Sequence, residues 1–134
     1  MLDVLLIQHA ETGINLIEYH QEGSKFDAKH SDIFSGFLSA IQNVSEEIDI
    51  GTLILLSTEG SRGHNCLIIP RDPINVIILV DQEDPTDLWR EQGTDIAEKF
   101  IDRYGKSFQP NNVDKFKEFI PTIRESCMGH RYCD

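Results

Sequence analysis

Hydrophobic and polar positions along the chain follow two periods. Short apolar runs recur at "LDVLLIQ" (2–8), "TLILLST" (52–58), "CLII" (66–69) and "INVIILV" (74–80). Continuous apolar runs of this length predict strands covered on both faces. "INLIEYH" (14–20) alternates loosely, with Ile14 and Leu16 on one face and Ile17 and Tyr19 on the other. Gly13 turns the chain before it, so the first two runs read as a hairpin. Elsewhere the spacing is helical. In "SDIFSGFLSAIQNVSEEI" (31–48), Ile33, Phe34, Phe37, Leu38, Ile41, Val44 and Ile48 share one broad face, with Ser31 or Asp32 as cap. A second helix starts with Asp84 capping and Pro85 at the first helical position. Its stripe is Trp89, Gly93, Ile96, Phe100 and Tyr104, and Gly105 stops it. "NNVDKFKEFIPTI" predicts a shorter last helix, with Val113, Phe116, Phe119 and Ile120 inward and Pro121 at its end.

The element order is therefore ββαβββαα. Short links make the last three strands an antiparallel meander, and doubly buried strands require helices on both faces of the sheet. "QEGSKFDAKH" (21–30) is a polar loop and "EGSRGHN" (59–65) a glycine-rich turn. "RESCMGHRYCD" shows no period and reads as a mobile tail. The expected division is a domain over 1–121 and a tail over 122–134.

This order, with "DIFSGFLSAI" then "EI" as the first helix, "TGINLIEYH" as the second strand, and "VIILVDQED" leading into "LWREQGTDIAEKFIDRYG", resembles the longin domain. The likeness covers roughly residues 1–120 and is nearest to the small free-standing longin proteins of archaea. It implies an α+β, longin/profilin-like fold: a five-stranded antiparallel sheet with one helix on one face and two on the other. Roadblock domains are related but usually begin with an extra helix, and no such helix is expected ahead of the first strand here. The family carries no catalytic residue in this segment. It implies no enzyme and no cofactor. Its partners are a second longin or roadblock chain and a Ras-like small GTPase, in trafficking or signalling.

Gly36 raises the first functional question, because glycine inside a helix costs roughly 1 kcal/mol relative to alanine. Gly36 and Ala40 lie four residues apart just off the apolar face. In the longin arrangement the strand at 52–58 is a sheet edge, and "TLILLST" contains no charge, proline or glycine to guard it. The expected interface of a two-fold dimer, homomeric or with a longin or roadblock partner, is therefore Gly36, Ala40, Asn43, Leu53, Leu55 and Ser57. The alternative is that Gly36 lets the helix sit close to its own sheet.

Composition narrows the partners. The formal net charge of -11 opposes binding to phosphate backbones and to anionic membranes. No run is long enough to cross a bilayer and no signal peptide is apparent, so a cytoplasmic protein is expected. Other constellations are weaker. Ser61 and His64 lack a nucleophile elbow, because Glu59 stands where the first glycine belongs. Arg62 at the tip of that turn is the residue to reach a GTPase-bound phosphate. Cys127, His130 and Cys133 are residue types that suit zinc, without a fourth ligand at a standard spacing. His9, His20 and His30 read as solvated. Asp81, Glu83, Asp84 and Asp87 suit a helix start, and Cys66 a small buried hydrophobe.

The expectation is thus a non-enzymatic interaction module, a dimeric platform for a small GTPase. The alternatives are a coat- or tether-type subunit without GTPase contact, and a small-molecule sensor using a pocket between the sheet and the C-terminal helices.

Overall fold

The computed structural model describes residues 1–21 and 28–127. The elements are β1 (Leu2–His9), β2 (Asn15–His20), α1 (Ala28–Glu47), β3 (Leu55–Ser57), β4 (His64–Arg71), β5 (Ile74–Asp81), α2 (Thr86–Tyr104), a 3-10 segment (Val113–Phe119) and α3 (Ile120–Cys127). The five strands form one sheet in the order β2-β1-β5-β4-β3, and every pairing is antiparallel.

The apolar runs are doubly covered, as their pattern requires. Along β1, Leu5 and Ile7 face the α2/α3 layer while Val4 and Leu6 face α1; β4 divides likewise into Leu67 and Ile69 against Cys66 and Ile68. The larger core lies under α2 and α3, where Trp89, Ile96 and Phe100 meet Phe116, Phe119 and Ile123. Phe100 anchors an aromatic cluster, its ring centroid 5.4 Å from Phe119 and 5.5 Å from Phe116. Gly93 lets α2 approach the sheet: a Cβ there would stand 2.7 Å from Ile69 Cδ1 and 2.9 Å from Ile78 Cδ1. Gly105, at φ 75°, ends α2 and donates its N–H to the Ile101 carbonyl at 2.7 Å.

Several boundaries differ from expectation. The α1 helix begins by Ala28, so neither Ser31 nor Asp32 caps it, and Ser31 is buried inside it. The rest of the expected loop, residues 22–27, lies outside the described residues. β3 is three residues long rather than seven. β4 continues through Pro70. Proline lacks the N–H that a neighbour would need, but β3 pairs only with Asn65, Cys66 and Leu67, so none is missed there. Pro121 opens α3 instead of ending a helix, and proline is tolerated in a first turn. The expected boundary at 121 therefore falls inside the fold, since Ile123 and Cys127 are buried in the core. Residues 128–134, including His130 and Cys133, lie outside the described residues. Asp84 does not cap α2; Pro85 holds that position. The Asp84 carboxylate is buried, accepts the Trp89 indole N–H at 3.1 Å and pairs with the Met1 amino group.

Candidate interaction surface

α1 turns an unexpected side to the sheet. Leu38 is buried beneath it with Ser31, Ser35 and Ser45. Ser35 Oγ donates to Asn15 Oδ1 of β2 at 2.7 Å, and Gln42 Oε1 accepts the Leu53 N–H at 2.7 Å. Small hydroxyl residues thus seat the helix, and only Leu38 and Phe34 deliver bulk to the cluster below. Most of the apolar face read from the sequence points outward. Ile33 is 66% exposed, Phe37 51%, Val44 54% and Ile48 59%. With Ala40, which is also exposed, they recur at spacings of four, three, four and four residues. That is the pattern of a seam that packs against another helix.

Gly36 belongs to this outer surface. It is exposed, and a Cβ built on it meets nothing within 4 Å. Close packing of α1 on its own sheet therefore does not explain it; Gly93 has that role on the opposite face.

β3 is the outer strand beyond β4, and among the described residues no strand pairs with its free side. Ile54 O accepts from Ile68 N at 3.0 Å, and Thr58 N donates to His64 O at 2.9 Å. Antiparallel pairing alternates, so Leu55 and Ser57 turn their main-chain groups away from β4. Leu55 and Ile54 expose their side chains, as does Ile50 in the connection from α1. Phe34 of α1 and Leu56 of β3 rest on the same cluster, which brings helix and edge strand onto one side of the molecule.

Of the expected interface residues, Gly36, Ala40, Asn43, Leu55 and Ser57 are exposed on these elements. Leu53 is half-buried under α1, and Asn43 lines a cleft on another side of the helix. Ile50 and Ile54 join these exposed residues without being expected there, and the signal in the sequence is the isoleucine between Asp49 and Gly51 and the apolar run that follows Thr52. Arg62 is exposed at the β3–β4 turn, where its carbonyl accepts from His64 Nδ1 at 2.6 Å. His64 Nε2 faces Asp3 and Asp81, each at 3.6 Å, and makes no pair with Ser61. His9 is buried against Phe108 rather than solvated, with ring centroids 5.7 Å apart. Cys127 is buried in α3. Burial pushes the Cys66 thiol up to about 12.

No family model matches the chain, and no curated protein matches it in sequence. Among solved structures, Myxococcus xanthus MglB resembles it with a TM-score of 0.54, over 76% of this chain and 85% of that one, at 13% identity. The fold is longin-like.

MglB shares that fold, with a consistent order of strands and helices. Between the sheet and the α2/α3 layer of this longin-like fold, Phe100, Phe116 and Phe119 pack into the core. A cleft opens under α1. No helix among the described residues is long and apolar enough to cross a membrane.

Proposed function

We propose that this chain is a non-enzymatic interaction module that pairs through the outer face of α1 and the free edge of β3, and offers the joined surface to a Ras-like small GTPase. The observation that carries the pairing is the exposed seam Ile33, Phe37, Ala40, Val44 and Ile48 beside a strand edge that, among the described residues, no other strand pairs. Burying the exposed half of each large side chain is worth roughly 1 kcal/mol, and a contiguous patch of this kind on a soluble chain marks an interaction site. An edge with outward main-chain groups at Leu55 and Ser57 admits antiparallel pairing about a two-fold axis at Leu56. Leu55 of one copy then exchanges hydrogen bonds with Ser57 of the other. Gly36 and Ala40 leave space for the second helix. Support for the GTPase comes from the longin-like fold shared with MglB, since the longin resemblance implies a Ras-like partner. The partner's nucleotide state would select affinity through its switch segments.

Sedimentation equilibrium at micromolar concentration tests the pairing. A dimer is expected for the unaltered chain, and a folded monomer for Leu55→Lys and for Phe37→Glu; a monomeric unaltered chain overturns it. Co-precipitation with small GTPases loaded with GDP or a GTP analogue tests the partner. Nucleotide-dependent capture is expected. Indifference to all of them, with the dimer intact, favours a subunit of a coat or tether assembly.

A further inference from the structure

The layer between α1 and the sheet changes character part-way along. On the α1-facing side of β1 the row Val4, Leu6 continues as Gln8, and on β5 the row containing Ile77 continues as Asn75. Gln8 and Asn75 are register partners on adjacent strands. Two carboxamides therefore lie side by side where the aliphatic rows stop. α1 repeats the change above them, from Leu38 to Gln42. Between the two surfaces opens a cleft of about 440 Å³, bounded by the β1–β2 turn and by Thr52 and Leu53. That volume suits a small molecule.

Gln8 is only 4% exposed, yet its hydrogen bonds are long. Nε2 donates to the Gly13 carbonyl at 3.4 Å, and Oε1 accepts from Asn75 Nδ2 at 3.4 Å. Bonds of that length recover little of what burying a carboxamide costs. One donor and one lone pair of Gln8 are left over. The rim carries Glu11, Glu46 and Asp72, and among the described residues no lysine, arginine or histidine lines the cleft. An anion finds no counter-charge there, and an apolar ligand leaves the carboxamides unsatisfied.

We propose that this cleft binds a small organic cation, an alkylammonium or guanidinium group. Its N–H donors meet the carboxamide oxygens of Gln8 and Asn75, and its charge faces the rim carboxylates. Charge-assisted bonds of this kind are about twice as strong as neutral ones. The site is independent of the pairing surface. Ser39, Asn43 and Glu46 line the cleft, whereas Phe37, Ala40, Val44 and Ile48 occupy the outer seam of the same helix.

Titration of the full chain with putrescine and with argininamide, followed by the side-chain amide resonances of Gln8 and Asn75, tests the site. Saturable shifts are expected with either cation, and none with 1,4-butanediol or succinate. Gln8→Leu extends the apolar row of β1 and keeps the strand pattern; Glu46→Gln alters only the rim. Each is expected to weaken binding, Gln8→Leu by at least about tenfold. A parallel arm with the peptide Ala-Arg-Ala separates the two sources of this chemistry. Stronger binding of argininamide assigns a free metabolite, and stronger binding of the peptide assigns an arginine on a partner. Absence of a saturable shift at either carboxamide up to about 10 mM cation, or an equal response to succinate, overturns the proposal.

Discussion

Arg90 of α2 donates from Nη2 to the carbonyl of Ile54 at 2.8 Å, and its Nη1 reaches the carbonyl of Ile68 at 3.3 Å. One guanidinium thus ties the start of the edge strand to its neighbour, beside the bond from Ile68 N to Ile54 O. The planar fork is what spans two strands, and an ammonium group lacks it. Arg90→Ala is expected to cost about 1–2 kcal/mol in urea unfolding, with Arg90→Lys recovering only part. Amide exchange at Ile68 should quicken in both variants while that of the β1 and β5 core amides stays slow relative to global unfolding.

Two glycines in helices are expected to respond with opposite sign. Gly36→Ala adds a Cβ into open space and should stabilise the monomer by up to about 1 kcal/mol. If the smooth surface admits a second helix, the same change weakens self-association, which sedimentation at several concentrations reads directly. Gly93→Val drives a branched side chain against Ile69 and Ile78 and should destabilise by about 1–3 kcal/mol, measured by thermal and urea melts.

Trp89, the single tryptophan, is fully buried with its indole N–H on Asp84. Asp84→Ala leaves that donor without its acceptor and is expected to cost about 1–3 kcal/mol. Asp84→Asn keeps an oxygen in place and should cost less. Tryptophan fluorescence during urea unfolding gives both numbers, and the emission of the folded Asp84→Ala variant should shift.

Cys66 retains its proton in the fold, because burial disfavours the thiolate and raises its pKa from 9.0 to about 12. Between those values the unfolded chain has lost a proton that the native chain keeps, so stability falls as pH rises through that window. Below pH 9.0 the thiol contributes no pH dependence. At pH 8 a thiol reagent should label Cys66 slowly in the folded protein and rapidly in urea, as peptide mass mapping would show. Cys66→Val should flatten the alkaline decline in stability measured from pH 9 to 11, a window inside that shift.

The strand runs, the stripe Trp89, Gly93, Ile96 and Phe100, the stop at Gly105 and the edge position of β3 were legible because each follows from local periodicity or from the order of elements. The α3 boundary and the extent of β4 were not legible, because proline signals a terminator locally, whereas Pro70 and Pro121 stand where no neighbouring strand or turn needs an N–H. His9 reads from the sequence as solvated because nothing local announces Phe108, which packs on it from the segment after α2.

The sequence by itself determined which residues of α1 share a face, since that depends only on 3.6 residues per turn. Tertiary structure alone decided which face meets the sheet. Ser35, Leu38 and Gln42 fit beneath the helix because Asn15 and Leu53 supply their hydrogen-bond partners or neighbours, and those residues are distant in the chain. A helix whose apolar stripe and polar-small stripe are both continuous can seat on either. The choice rests on the surface it meets, and here it leaves Ile33, Phe37, Val44 and Ile48 facing outward.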